Sequence, residues 1–160
     1  MKPLISNIVT GITGSDASIL AAKYAIVMAK NYHCRLTMIY VVDTATIKQL
    51  TLSKIFIQEE SVEYEKSLET NGERYLSFME ELAHAKGVKI EKEIRRGAVY
   101  SEILTAAEEH KADLIVMGGW EKDRNARDII GHAHREILYN AKCSVLIVKE
   151  PEIDMLYKQA

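Results

Sequence analysis

Four short runs constrain this chain more than anything else in it: "LISNIVTGIT", "RLTMIYVVD", "DLIVMGG" and "SVLIVK". Each has a strand-sized apolar centre, and helix-length chain separates one run from the next. Apolar runs of this kind suit parallel strands covered on both faces. Parallel strands need long crossovers, and these are nearly always right-handed and helical. A fifth run, "VKIEKEIRRG", alternates with period two through Val88, Ile90, Lys92 and Ile94. Its lysine on an otherwise apolar face is typical of a protected edge strand. The pattern predicts an α/β fold: an open five-stranded parallel sheet with helices on both faces.

The helices carry their own signals. Gly11 and Gly14 break the first strand, and Ser15 or Asp16 can cap the helix that follows, whose inner face is Ile19, Ala22, Ile26 and Ala29. A long helix fits 59–86, with Leu68, Tyr75, Met79 and Leu82 as its stripe, Gly72 on the same side and Gly87 at C′. A shorter helix at 101–110 turns Ile103, Leu104 and Ala107 inward, and "HREILYNA" is the last. The stretch 44–57 has no clean period, and the tail 151–160 has no assignment. Nothing cuts residues 1–150 into two domains. In such sheets ligands bind beyond the carboxyl ends of the strands, where strand order reverses. If strands one and four flank that point, "TGITGS" and "MGGWEK" face each other across it.

Several function classes are excluded. Net charge is −2, without the basic footprint of a nucleic-acid binder. The apolar runs fall far short of the roughly 20 residues that cross a bilayer. "MKPLISNIV" lacks the h-region of a secretory signal, and Cys34 and Cys143 read as small buried thiols in a reducing compartment. These features point to a cytoplasmic protein. GxxxxGK[ST] is missing, GxGxxG does not follow the first strand, and the receiver-type carboxylates are absent. His132 and His134 are two apart, about 200° around a helix, so they cannot share a metal. His33, His84 and His110 read as solvated, and the run of glutamates from Glu59 to Glu73 as a solvated helix face. No catalytic or metal-binding set assembles, so the expectation is a protein that is not an enzyme and has no assured cofactor.

The stretches "IVTGITGSDAS", "YVVD", "RRGAVYSEIL", "DLIVMGGWEK" and "IIGHAHREILYNAKCSVLIVK" resemble, in order and spacing, the universal stress protein family. The resemblance implies a Rossmann-like, adenine nucleotide alpha hydrolase-like sheet of order 3-2-1-4-5, usually in a dimer. Nucleotide-binding members share G-x2-G-x9-G-[ST] after the fourth strand, the last glycine and hydroxyl beginning a helix whose N–H groups favour anions. Gly118 and Gly131 match the outer glycines, but Glu121 replaces the middle one, His132 the hydroxyl and Thr13 an aspartate after strand one. The implied nucleotide pocket comprises Thr13, Val41, Met117, Gly118, Glu121, Gly131, His132 and Ala133. A carboxylate at 121 would repel a polyanion by roughly 4 kcal/mol at about 4 Å and an effective dielectric of about 20. Lys122, Arg124 and Arg127 offset it, and Asp123 and Asp128 answer them. A plain strand-to-helix connection needs only the two surviving glycines, so both readings stand: a degenerate pocket, or one that still takes ATP or AMP.

The last strand, Val145, Leu146, Ile147 and Val148, is an unguarded apolar edge. Two copies pairing through it would close a two-fold homodimer; alternatively Ile153, Met155, Leu156 and Tyr157 cover it in cis. The leading expectation is a non-enzymatic stress-response dimer working through unidentified protein partners, with 44–57 as contact surface or as a lid on the crevice. The alternative is an ATP- or AMP-binding regulatory switch built on the 118–132 loop.

Overall fold

The computed structural model describes residues 2–119 and 127–160, side chains at 127–131 excepted. Glu121 and its neighbours Lys122, Asp123 and Arg124 lie outside the described residues, as do the side chains of Arg127 and Asp128. The elements run β1 (Asn7–Ile12), α1 (Asp16–Tyr32), β2 (Arg35–Val42), α2 (Thr44–Leu52), α3 (Gln58–His84), β3 (Ile90–Arg96), α4 (Val99–Glu109), β4 (Leu114–Gly118), α5 (Arg127–Asn140), β5 (Ser144–Val148) and α6 (Ile153–Gln159). All four strand pairings are parallel, as the sequence pattern predicts, and the order is β3-β2-β1-β4-β5, as the family resemblance implies.

Each face of the sheet has its own core. One face packs Ile8, Met38 and Val116 under α1 and α3; the other packs Val9, Ile39 and Ile115 under α4 and α5. The alternation of neighbours between faces follows from the pleat. α1 approaches closely because Ala21, Ala22, Ala25 and Ala29 form its inner face. Ser15 is its N-cap, accepting from the Ser18 N–H. α3 ends at a Schellman turn: Val88 N–H reaches the Ala83 carbonyl, Gly87 N–H reaches that of His84, and Gly87 has φ +74. At the amino end of the sheet, Asp113 accepts from the Ser6 and Asn7 N–H groups at 2.8 and 3.0 Å, which hold its carboxyl below the ordinary range.

Five expectations need correction. The stretch 44–57 is a helix, α2, capped by the Asp43 carboxylate on Thr46 N–H, followed by a turn. Its helical period is hidden because only Ile47 is buried and the helix is short. The tail forms α6, which packs on α1 and not along β5. Ile153 is buried there, Tyr157 Oη donates to the Leu82 carbonyl, and Lys23 pairs with Asp154. His110 is not simply solvated, since its Nε2 lies 2.8 Å from Glu93 Oε2. Two glutamates of the expected solvated face, Glu65 and Glu69, bind Arg96 and tie α3 to β3. Cys34 and Cys143 are free but only half-buried; burial raises both thiols above the ordinary range, Asp113 adding to it.

Candidate functional site: a cleft at the strand-order reversal

β1 and β4 are neighbours, paired Ile8 to Leu114, Val9 to Ile115 and Thr10 to Val116, while their crossovers leave toward opposite faces. Their carboxyl ends therefore part and leave a crevice. Its volume is about 400 Å³, and Thr13, Ser15, Val41, Val99, Met117, Gly118, Ala133 and His134 are among its walls. Residues 44–57 contribute nothing to that lining, so α2 is not a lid on the crevice. The floor is apolar: Ile39 is fully buried and Met117 nearly so. No Asp, Glu, Lys or Arg stands among the described lining residues.

The two loops at the mouth are fixed by different means. After β1, Thr13 N–H donates to Ser18 Oγ at 2.9 Å, and the Thr13 and Ser15 hydroxyls share a hydrogen bond at 2.9 Å. Gly14 has φ +83, and a Cβ there would stand 2.4 Å from the Tyr75 ring, so only glycine suits this turn. After β4, a Cβ on Gly118 would stand 2.5 Å from the Ala17 carbonyl oxygen. Gly118 is thus required by the approach of α1 whether or not a phosphate binds. Its carbonyl accepts from His134 Nε2 at 2.7 Å, which assigns the ring proton to that nitrogen and ties α5 to the end of β4.

Of the expected pocket positions, Thr13, Val41, Met117, Gly118 and Ala133 line the cleft. His132 does not: it is exposed, its ring edge-on to Tyr100 at 5.5 Å. Glu121 lies outside the described residues. Gly131 and His132 do not begin a helix, because α5 already starts at Arg127. Only the first four N–H groups of a helix lack partners, so those of Gly131 and His132 are committed to the helix itself. The sequence reading overlooked Ser15, Val99, Ile103, His134 and Ile137 in the lining. His134 was visible as the second histidine of the pair, but the helix phase that turns it inward depends on where α5 begins.

The family follows from comparison with known proteins. The model of the universal stress protein family matches residues 5–149. This chain belongs to that family. A universal stress protein of Methanocaldococcus jannaschii is 37% identical over 150 residues, spanning 93% of this chain and 85% of the relative. Among solved structures, the universal stress protein UspA from Lactobacillus plantarum superposes with TM-score 0.77 at 21% identity, covering 92% of this chain and all of that one. A universal stress protein solved in complex with cAMP gives TM-score 0.69 at 23% identity, with 91% and 98% coverage. One from Arabidopsis thaliana with AMP bound gives 0.64 at 16%, with 89% and 90% coverage. The sheet, in order β3-β2-β1-β4-β5, thus has the fold of these solved universal stress proteins. Among the described residues no helix is long and apolar enough to cross a membrane.

Proposed function

We propose that this universal stress protein is a non-enzymatic, cytoplasmic dimer that acts through protein partners, and that its cleft takes the adenosine part of an adenine nucleotide without a working triphosphate cradle. The observation that carries this reading is that the described lining of the 400 Å³ cleft at the β1–β4 reversal is uncharged and largely apolar. Such a lining suits a purine, with Val41 backbone beside it and the Thr13 and Ser15 hydroxyls within the mouth. A triphosphate needs several donors or cations, and the Gly131–His132 N–H groups expected to serve are inside α5. The cAMP and AMP complexes of structural neighbours support a monophosphate as ligand class.

Calorimetric titration with AMP, cAMP and ATP·Mg tests it. AMP should bind at least as tightly as ATP, and Ala133→Phe, which fills the cleft, should abolish binding. ATP binding more than about tenfold tighter than AMP, or phosphate release lost in Ala133→Phe, rejects the reading. One contact favours a second reading, a switch. Tyr40 walls the cleft, packs on Gly72 of α3 and meets Tyr75, which covers Gly14, in a tilted ring pair at 6.2 Å. Occupancy would then be felt by α3, and amide exchange along α3 should change on adding AMP.

A further inference from the structure

The described methionines occupy three kinds of place. Met38 and Met79 are fully buried in the core under α1 and α3. Met155 is 53% exposed on α6, and Met28 lies in the groove between α1 and α6. Met117 combines burial with access. It is only 7% exposed and packs in the core under α4 and α5 with Ile39, Ile103 and Ile137, yet the same four residues line the cleft. The pleat turns Met117 to that face of β4 and its neighbour Val116 to the other. The thioether is thus core packing on one side and cleft wall on the other. Cys34 and Cys143 are not among the described lining residues, and burial raises both thiols, which disfavours the reactive thiolate.

We infer that Met117 is an oxidation site, at which a hydroperoxide and the nucleotide exclude each other. The exclusion rests on the nucleotide reading of the cleft proposed above; the oxidation does not. A sulfur lone pair attacks one peroxide oxygen. The S–O bond forms as the O–O bond breaks, the sulfur gives up two electrons, and the proton of the transferred oxygen leaves with the other oxygen as water. The product is the sulfoxide, the reversible oxidation state of methionine, and it turns a flexible apolar side chain into a polar one. The new oxygen can only accept hydrogen bonds, and no Lys or Arg stands among the described lining residues to meet it. Turned inward, it lies unpaired against Ile39, Ile103 and Ile137, at a desolvation cost. Turned outward, it stands where the purine packs. Either position weakens nucleotide binding, and a nucleotide seated on Met117 shields the sulfur in turn.

Hydrogen peroxide is the probe. Peptide mass spectrometry reads the oxygen gained at each methionine, and calorimetry reads AMP affinity. Met155 should oxidise first, and Met117 should outpace Met38 and Met79. Saturating AMP should slow Met117 by at least about tenfold and leave Met155 unchanged. In the wild type, AMP affinity should fall by at least about tenfold in step with the oxidised fraction of Met117, not with that of Met28 or Met155. Peroxide should also weaken AMP binding in Met155→Leu but not in Met117→Leu, each compared with its own untreated sample. Met117 as slow as Met38 and Met79, oxidation that AMP does not slow, or affinity that survives full oxidation of Met117 overturns the inference. Untreated protein that does not bind AMP sinks the nucleotide reading and the exclusion with it, and the order of oxidation then still decides whether Met117 is the oxidation site.

Discussion

The two edges of the sheet are finished in opposite ways. β3 is closed by the chain's own charges. Arg95 lies between Glu93, Glu102 and Glu109 at 2.7, 3.1 and 2.9 Å, Arg96 reaches Glu65 and Glu69, and Lys92 meets Glu80 at 3.2 Å. β5 carries no charged residue from Ser144 to Val148, and Val145, Leu146 and Ile147 remain half-buried. Unsatisfied strand edges invite another chain, so one edge is written against association and the other leaves it open. The tail does not remove the difference, because α6 turns back onto α1.

The largest effect that would break this comparison is at β5. Leu146→Lys should convert a dimer to monomer, raising the dissociation constant by at least about a hundredfold, as read by sedimentation. A dimer that survives it must use another surface. Next is Arg95→Ala, which leaves three carboxylates facing one another around a mostly buried site. It should cost about 1–3 kcal/mol in urea unfolding without changing oligomeric state. A third test uses acid. Burial opposes ionisation of Glu93, but hydrogen bonds from His110 and Arg95 outweigh it and hold the carboxyl below its ordinary value. A depressed folded value adds stability above the unfolded value and loses it as pH falls through the folded one. Below about pH 4.3, the wild type should therefore lose stability more steeply than Glu93→Gln, measured by thermal melts across pH. The smallest effect is Arg96→Ala, whose pairs are solvent-exposed; melting should barely move. A large loss there would mean that β3 depends on its charges for folding as well as for protection.

Much of this was legible in the residues. β1, β2, β4 and β5 announce themselves as apolar runs, and β3 as an alternating strand whose misplaced lysine proves to reach Glu80. The caps at Ser15 and Gly87 follow from local backbone chemistry alone. α2 and α6 were not legible, since each buries chiefly one apolar residue, Ile47 or Ile153, and neither offers enough turns for a period to emerge. At the cleft, Thr13, Val41, Met117, Gly118 and Ala133 were found through family spacing. That same spacing placed Gly131 and His132 at a helix start that lies at Arg127.

The apolar runs, turn residues and crossover lengths determined the parallel sheet, because pleat, chirality and chain connectivity act locally; the strand order, and with it the place of the crevice, came from the family resemblance. Tertiary structure alone decided that Gly118 makes room for Ala17, that His134 and not His132 faces the cleft, and that Glu65 and Glu69 serve β3. Each of those depends on the phase and distance of elements remote in the chain, and side-chain identity carries no record of either until the elements pack.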